Sequence, residues 1–109
     1  MIFQAGSTAE ARRAVDCGVD IIVAQGWEAG GHVRGTMATL PLVPSIVDAI
    51  SPTPVVAAGG IVDGRGLAAV LAPGASGAWI GTRFLASREA VIHRRYRERI
   101  LEAQEEDTV

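Results

Sequence analysis

The stretch Val55-Val56-Ala57-Ala58-Gly59-Gly60-Ile61-Val62-Asp63-Gly64-Arg65-Gly66 reads as a short apolar strand that stops at a glycine pair and gives way to a helix. The helix runs from about Asp63 through Leu67, Val70 and Leu71 to a Pro73-Gly74 stop. The same alternation recurs on both sides of it. Upstream, Ile2 to Gly6 is a strand, followed by a helix with Ser7 and Glu10 as an S-x-x-E capping box; it carries Ala11, Ala14 and Val15 and ends at Gly18. Val19 to Ala24 is a second strand, apolar at nearly every position and so covered on both faces. After a long loop from Gln25 to about Pro41, Val43, Ile46, Val47 and Ile50 form one helical stripe, which Ser51-Pro52-Thr53-Pro54 stops. Downstream, Gly77 to Ile80 is a fourth strand, ending at Gly81-Thr82. The last segment, Ser87 to about Ala103, is an amphipathic helix with Val91, Ile92, Tyr96, Ile100 and Leu101 on one face and arginines on the other. Four short strands alternating with helices, without linker or repeat, predict an α/β protein with a parallel sheet.

With 109 residues the chain is expected to hold one domain at most, over 1–109. Ten basic and twelve acidic side chains leave a formal charge of −2, and no window concentrates Lys or Arg, so nucleic acid is not an expected partner. No apolar run approaches the roughly 20 residues that span a bilayer, and the first residues lack a signal-peptide layout. A soluble, cytoplasmic protein with no membrane partner is expected. The lone Cys17 cannot form an internal disulfide and, at the end of a helical pattern, is expected to be a small buried apolar residue. His93, among arginines, is expected on the surface. The acidic end, from Glu102 through Glu105, Glu106 and Asp107, has no helix stop, which suggests that the chain is trimmed there.

Two parallel folds fit four such units: a small open doubly wound sheet, or half of a (β/α)₈ TIM barrel. An open nucleotide-binding sheet would need its glycine fingerprint directly after a strand. The nearest match, Gly64-Arg65-Gly66, comes several residues late, and no acid stands between Gly64 and Glu89 to hold a ribose. In barrels a phosphate site is often built from the loops after the last two strands, and here both end in glycine, at Gly59-Gly60 and at Gly81-Thr82. Glycines admit backbone N–H groups close to phosphate oxygens, and a Thr hydroxyl adds a donor. The other reading of each pair is a tight strand-to-helix turn.

The loop Gln25-Gly26-Trp27-Glu28-Ala29-Gly30-Gly31-His32 follows the second strand and so shares the carboxyl-terminal rim with the glycine pairs. A histidine flanked by glycines has room beside it for a flat ligand, and imidazole ordinarily titrates near 6.5, which suits it to accept a proton. It can equally be an exposed loop histidine. Glu28 either pairs with a base or holds the loop through a backbone contact; Trp27 and Trp79 read as packing residues. No His or Cys stands at ligand spacing from His32, so no metal site is expected.

Three segments, Ala24-Gln25-Gly26-Trp27-Glu28-Ala29-Gly30-Gly31-His32, Val56-Ala57-Ala58-Gly59-Gly60-Ile61 with Asp63-Gly64-Arg65-Gly66, and Gly81-Thr82-Arg83-Phe84-Leu85, resemble the signature segments of nitronate monooxygenases in order and spacing. The resemblance covers nearly the whole chain. It implies an FMN-containing (β/α)₈ barrel in which Gln25, Gly30 and Gly31 contact the flavin, Gly59 and Gly60 form one side of the FMN phosphate site, and Trp79, Ile80, Gly81 and Thr82 form the other. It further implies that His32 is the base acting on a nitroalkane, with nitroalkane or nitronate and O₂ as reactants and a carbonyl compound and nitrite as products. FMN-containing enoyl-acyl-carrier-protein reductases share similar segments, and a non-catalytic half-barrel fragment is the third reading. The resemblance places the chain at the carboxyl-terminal half of a barrel, about strands 5 to 8, and implies that a missing amino-terminal half or self-association would cover its open edges.

Overall fold

The computed structural model describes residues 1–107. Thr108 and Val109, the last residues of the acidic end, lie outside the described residues. The elements alternate as expected: β1 (Ile2–Ala5), α1 (Thr8–Asp16), β2 (Ile21–Gln25), α2 (Thr39–Ile50), β3 (Val55–Ala58), α3 (Gly64–Leu71) and β4 (Gly77–Ala78), followed by two helices, α4 (Thr82–Leu85) and α5 (Arg94–Glu102), and a 3-10 turn at Glu105–Asp107. The sheet order is β1-β2-β3-β4 and every pair is parallel, with Ile22 opposite Phe3 and Val55, and Gln25 opposite Ala58. Neighbours in space are therefore neighbours in sequence throughout. A doubly wound sheet would reverse its order at a switch point, so the barrel-type progression is the one realised.

Alternation along the strands sorts the side chains into two sets. Ile22, Ala24, Val55 and Ala57 join Ala11, Ala14, Leu42, Val43, Ile46, Ile50 and Val70 in one core cluster under the helices. Gln25 and Ala58 point to the opposite face, which in a closed barrel is the interior. Ser7 caps α1 as read, its Oγ accepting from Glu10 N, while the Glu10 carboxylate accepts from Gly6 N, one residue before the N-cap. At α3, the Asp63 carboxylate accepts from the N–H groups of Arg65 and Gly66 and from the Arg65 guanidinium. These bonds hold its carboxyl below the usual carboxylate range, the Arg65 contact being the largest cause.

Four expectations need correction. α2 starts at Thr39, four residues before the apolar stripe begins, because a carboxylate from the preceding loop satisfies its first N–H. β4 is two residues long instead of four, and Trp79 N still donates to Ala57 O just beyond it. The terminal helix covers only Arg94–Glu102; Ser87 to His93 is irregular, His93 Nδ1 accepts from Arg95 N to start the helix, and Val91 is fully exposed. Cys17 is exposed, since it caps α1 beyond the helix's buried face. His93 is exposed as expected. Among the described residues no helix is long and apolar enough to cross a membrane.

Candidate active site

All βα loops leave the sheet at one edge, and the longest, Gly26 to Ala38, is tied down at several points. Gly26 N donates to Ala58 O at 2.9 Å and Trp27 N to Met37 O at 2.9 Å, closing the loop at its base. Glu28 accepts from Thr39 N and from the Thr39 hydroxyl, each at 2.9 Å, which places a negative charge at the start of α2 where the helix dipole favours it. Of the two readings of Glu28, the contact that holds the loop is the one seen. Thr39 is buried, and its Oγ1 also lies 3.2 Å from Ala58 O. The β3 end, the loop base and the α2 start thus meet at one hydroxyl.

Gln25 is buried, 2% exposed, at the last position of β2. Its Nε2 donates to His32 O at 3.0 Å and its Oε1 accepts from Arg34 N at 3.2 Å. His32 is exposed on the loop so held.

Beside this loop lies a cavity of about 720 Å³, within the size range of small-molecule sites. Gly30, Gly31, Gly59, Gly60, Trp79, Ile80, Gly81 and Thr82 all line it, so eight of the ten residues singled out from the sequence are brought together. Gln25 and His32 are not among its lining residues. Trp27 and Trp79 are each about half exposed, less packed than expected, and Trp79 presents part of its surface to the cavity. Sequence reasoning missed Arg83, the cation among the described lining residues, and it gave Tyr96, Ile100 and Leu101 as the apolar face of a terminal helix without saying what that face covers. They line the cavity, and α5 contains no buried residue. The adjacent Gly81-Thr82-Arg83 run was the available signal for Arg83.

The glycines differ in why they are glycines. Gly59 has φ +120°, and a Cβ there would stand 2.6 Å from Thr39 Oγ1, so the fold itself requires the residue. A Cβ at Gly81 would meet nothing within 4 Å, so the chain's own packing does not explain it. Gly60 has φ +67° and faces the cavity, and a Cβ at Gly30 would lie 3.3 Å from Thr82 Oγ1. Among the described residues the N–H groups of Gly59, Gly60 and Gly81 donate to no backbone carbonyl. Unpaired N–H groups, the Thr82 hydroxyl and the Arg83 guanidinium form a donor set that suits a phosphate. The apolar remainder of the lining, Ile61, Ile80 and Trp79, suits a flat ring system. Among the described residues no cluster of His, Cys, Asp or Glu could hold a metal ion.

The family model described as nitronate monooxygenase matches residues 1–109. A protein of Mycobacterium tuberculosis named as a monooxygenase, Rv1533, is 53% identical over 105 residues, which are 96% of this chain and 28% of that protein. Among solved structures, FabK from Thermotoga maritima superposes with a TM-score of 0.93 at 42% identity, covering 99% of this chain and 34% of FabK. Nitroalkane oxidase from Streptomyces ansochromogenes superposes with a TM-score of 0.84 at 37% identity, covering 89% of this chain and 30% of the oxidase. The chain therefore spans about a third of the length of the proteins it matches.

Proposed function

The chain belongs to the nitronate monooxygenase family, and on that footing we propose that it supplies the phosphate-binding rim and the base of an FMN-dependent enzyme that oxidises nitronates or nitroalkanes with O₂ to a carbonyl compound and nitrite. The observation that carries the reading is the cavity in which both glycine pairs, Thr82 and Arg83 meet with unpaired N–H groups. The residues fit FMN. Gly59, Gly60, Gly81, Thr82 and Arg83 would hold its phosphate, and Gly30, Gly31, Trp79 and Ile80 would flank its ring. When bound, FMN supplies the redox chemistry that links the substrate to O₂.

What the chain's own groups do is bind, orient and move one proton. The imidazole of His32 takes the α-proton of a neutral nitroalkane, while an already ionised nitronate needs no base. The His32 carbonyl, fixed by Gln25 Nε2, sets where that ring is presented. The whole enzyme includes a barrel half that this chain does not carry, contributed by a longer chain or by association with a second copy.

A flavin-dependent enoyl-acyl-carrier-protein reductase is the second reading, since such reductases share segments similar to the glycine-rich ones that line this cavity. Nitronate-dependent oxygen uptake with nitrite release, measured beside NADH-dependent enoyl reduction on the FMN-loaded protein, separates the two. Oxygen uptake without enoyl reduction is the expected result. The converse result transfers the assignment to the reductase, and loss of both leaves the non-catalytic half-barrel.

A further inference from the structure

Among the described residues two polar side chains are buried, Thr39 and Gln25. Thr39 is accounted for by the start of α2. Gln25 has no such role in the sheet, and a buried amide is retained at a cost unless its donors and acceptor are used. Its two partners are opposite in kind: a carbonyl, His32 O, which accepts, and an N–H, Arg34 N, which donates. One orientation of the amide alone satisfies both, so the assignment of Nε2 and Oε1 follows from chemistry.

The far half of the loop has few other attachments. The Arg34 guanidinium lies over the Phe3 ring, 5.3 Å from its centroid, and Gly35 passes against Gly6 so closely that a Cβ at Gly6 would come within 2.9 Å of Arg34 C. Both contacts fall after His32. The His32 imidazole makes no hydrogen bond among the described residues, so its ring is placed by the backbone alone, and Gln25 is the side chain that grips that backbone on both sides of Val33.

We infer that Gln25 is a positioning residue for His32. From the last position of a rigid strand it fixes the loop on which the base is carried, and it acts on proton removal through His32 instead of through the flavin. The inference rests on the function proposed for His32, and it reassigns Gln25, which the family resemblance implied as a flavin contact.

The test uses the 109-residue chain and its Gln25→Leu and Gln25→Glu variants, by NMR of backbone amides and of the His32 ring. Gln25→Leu removes both bonds; the Arg34 amide is expected to exchange about tenfold faster and the His32 ring signals to average, with β2 and β3 amides still protected. Gln25→Glu keeps the acceptor for Arg34 N and loses the donor to His32 O, so Arg34 protection is expected to survive while the His32 signals average. Arg34 exchange and His32 signals unchanged in both variants would overturn the inference.

With FMN added, flavin fluorescence titration is expected to give an affinity for Gln25→Leu within about threefold of the parent chain, far short of the tenfold that a lost direct bond to FMN would cause. A large loss of affinity with Arg34 exchange unchanged would restore the flavin contact and overturn the positioning role. On the loaded protein, Gln25→Leu is expected to lower nitroalkane turnover and leave nitronate turnover in place, as His32→Ala does. If His32→Ala leaves the ratio of the two rates untouched, the base reading fails by itself, and the NMR result on the loop stands apart from it.

Discussion

A methyl group at Gly81 would meet open space, and one at Gly59 would meet the Thr39 hydroxyl in a backbone conformation that side chains rarely adopt. The two substitutions therefore separate a ligand role from a folding role. Gly59→Ala is expected to cost about 2–5 kcal/mol of stability, read by denaturant unfolding, from backbone strain and the clash together. Gly81→Ala is expected to stay within about 0.5 kcal/mol of the parent and to weaken FMN about tenfold, since its methyl enters the space meant for phosphate. At His32, replacement by Ala is expected to lower nitroalkane turnover by about 10² or more and nitronate turnover little, because one substrate alone needs its proton removed. Equal losses on both would remove the proton-transfer role. At this scale the sequence was most informative about glycines, whose pairs follow strands and line the cavity, whereas His32 lies exposed on the loop outside that lining. It left two readings open for Glu28 and gave Gln25 no protein partner, since their partners lie across a loop, and it pointed the wrong way for Cys17, the exposed C-cap of α1.

The helices show where local signals suffice and where they do not. α1 and α3 carry their own caps, Ser7 with Glu10 and Asp63 with Gly64-Arg65-Gly66, and both were legible. α2 has no side-chain cap at Ala38 and borrows the Glu28 carboxylate from the loop, which accepts from Thr39 N, so its first turn was hidden. Thr39→Val, which removes the hydroxyl and keeps the shape, is expected to cost about 1–2 kcal/mol in unfolding measurements and to loosen the loop base. The apolar stripe at the chain's end ran too far: Val91 and Ile92 lie before α5, while Tyr96, Ile100 and Leu101 lie on it and line the cavity. For α3, the Asp63 carboxyl is held below its ordinary value of about 3.9, so its contribution is fully present above that pH and is lost as pH falls through the lowered value. Acid unfolding of the parent and of Asp63→Asn, which keeps the cap and removes the charge, is expected to show the parent losing stability relative to the variant below about pH 4.

At the scale of the whole molecule, four parallel strands in sequence order carry every βα loop to one edge, and that edge holds the glycine pairs, Thr82, Arg83 and the His32 loop together. The order of the strands could be narrowed from the sequence because the glycine pairs follow two consecutive strands, whereas the wall contributed by α5 depended on tertiary packing that no local pattern encodes. The chain spans about a third of the proteins it matches, so its FMN site is expected to be weaker than that of a full-length family member. Its phosphate end should nonetheless be intact, since those donors all lie in this chain. The most direct measurement is a titration of the purified chain with FMN and, in parallel, with riboflavin, which has the same ring and no phosphate, followed by flavin fluorescence. Saturable FMN binding at least about tenfold tighter than riboflavin is the predicted result, the worth of charge-assisted bonds to phosphate. Equal affinities, or no saturable binding of either, would contradict the phosphate site on which the functional assignment stands.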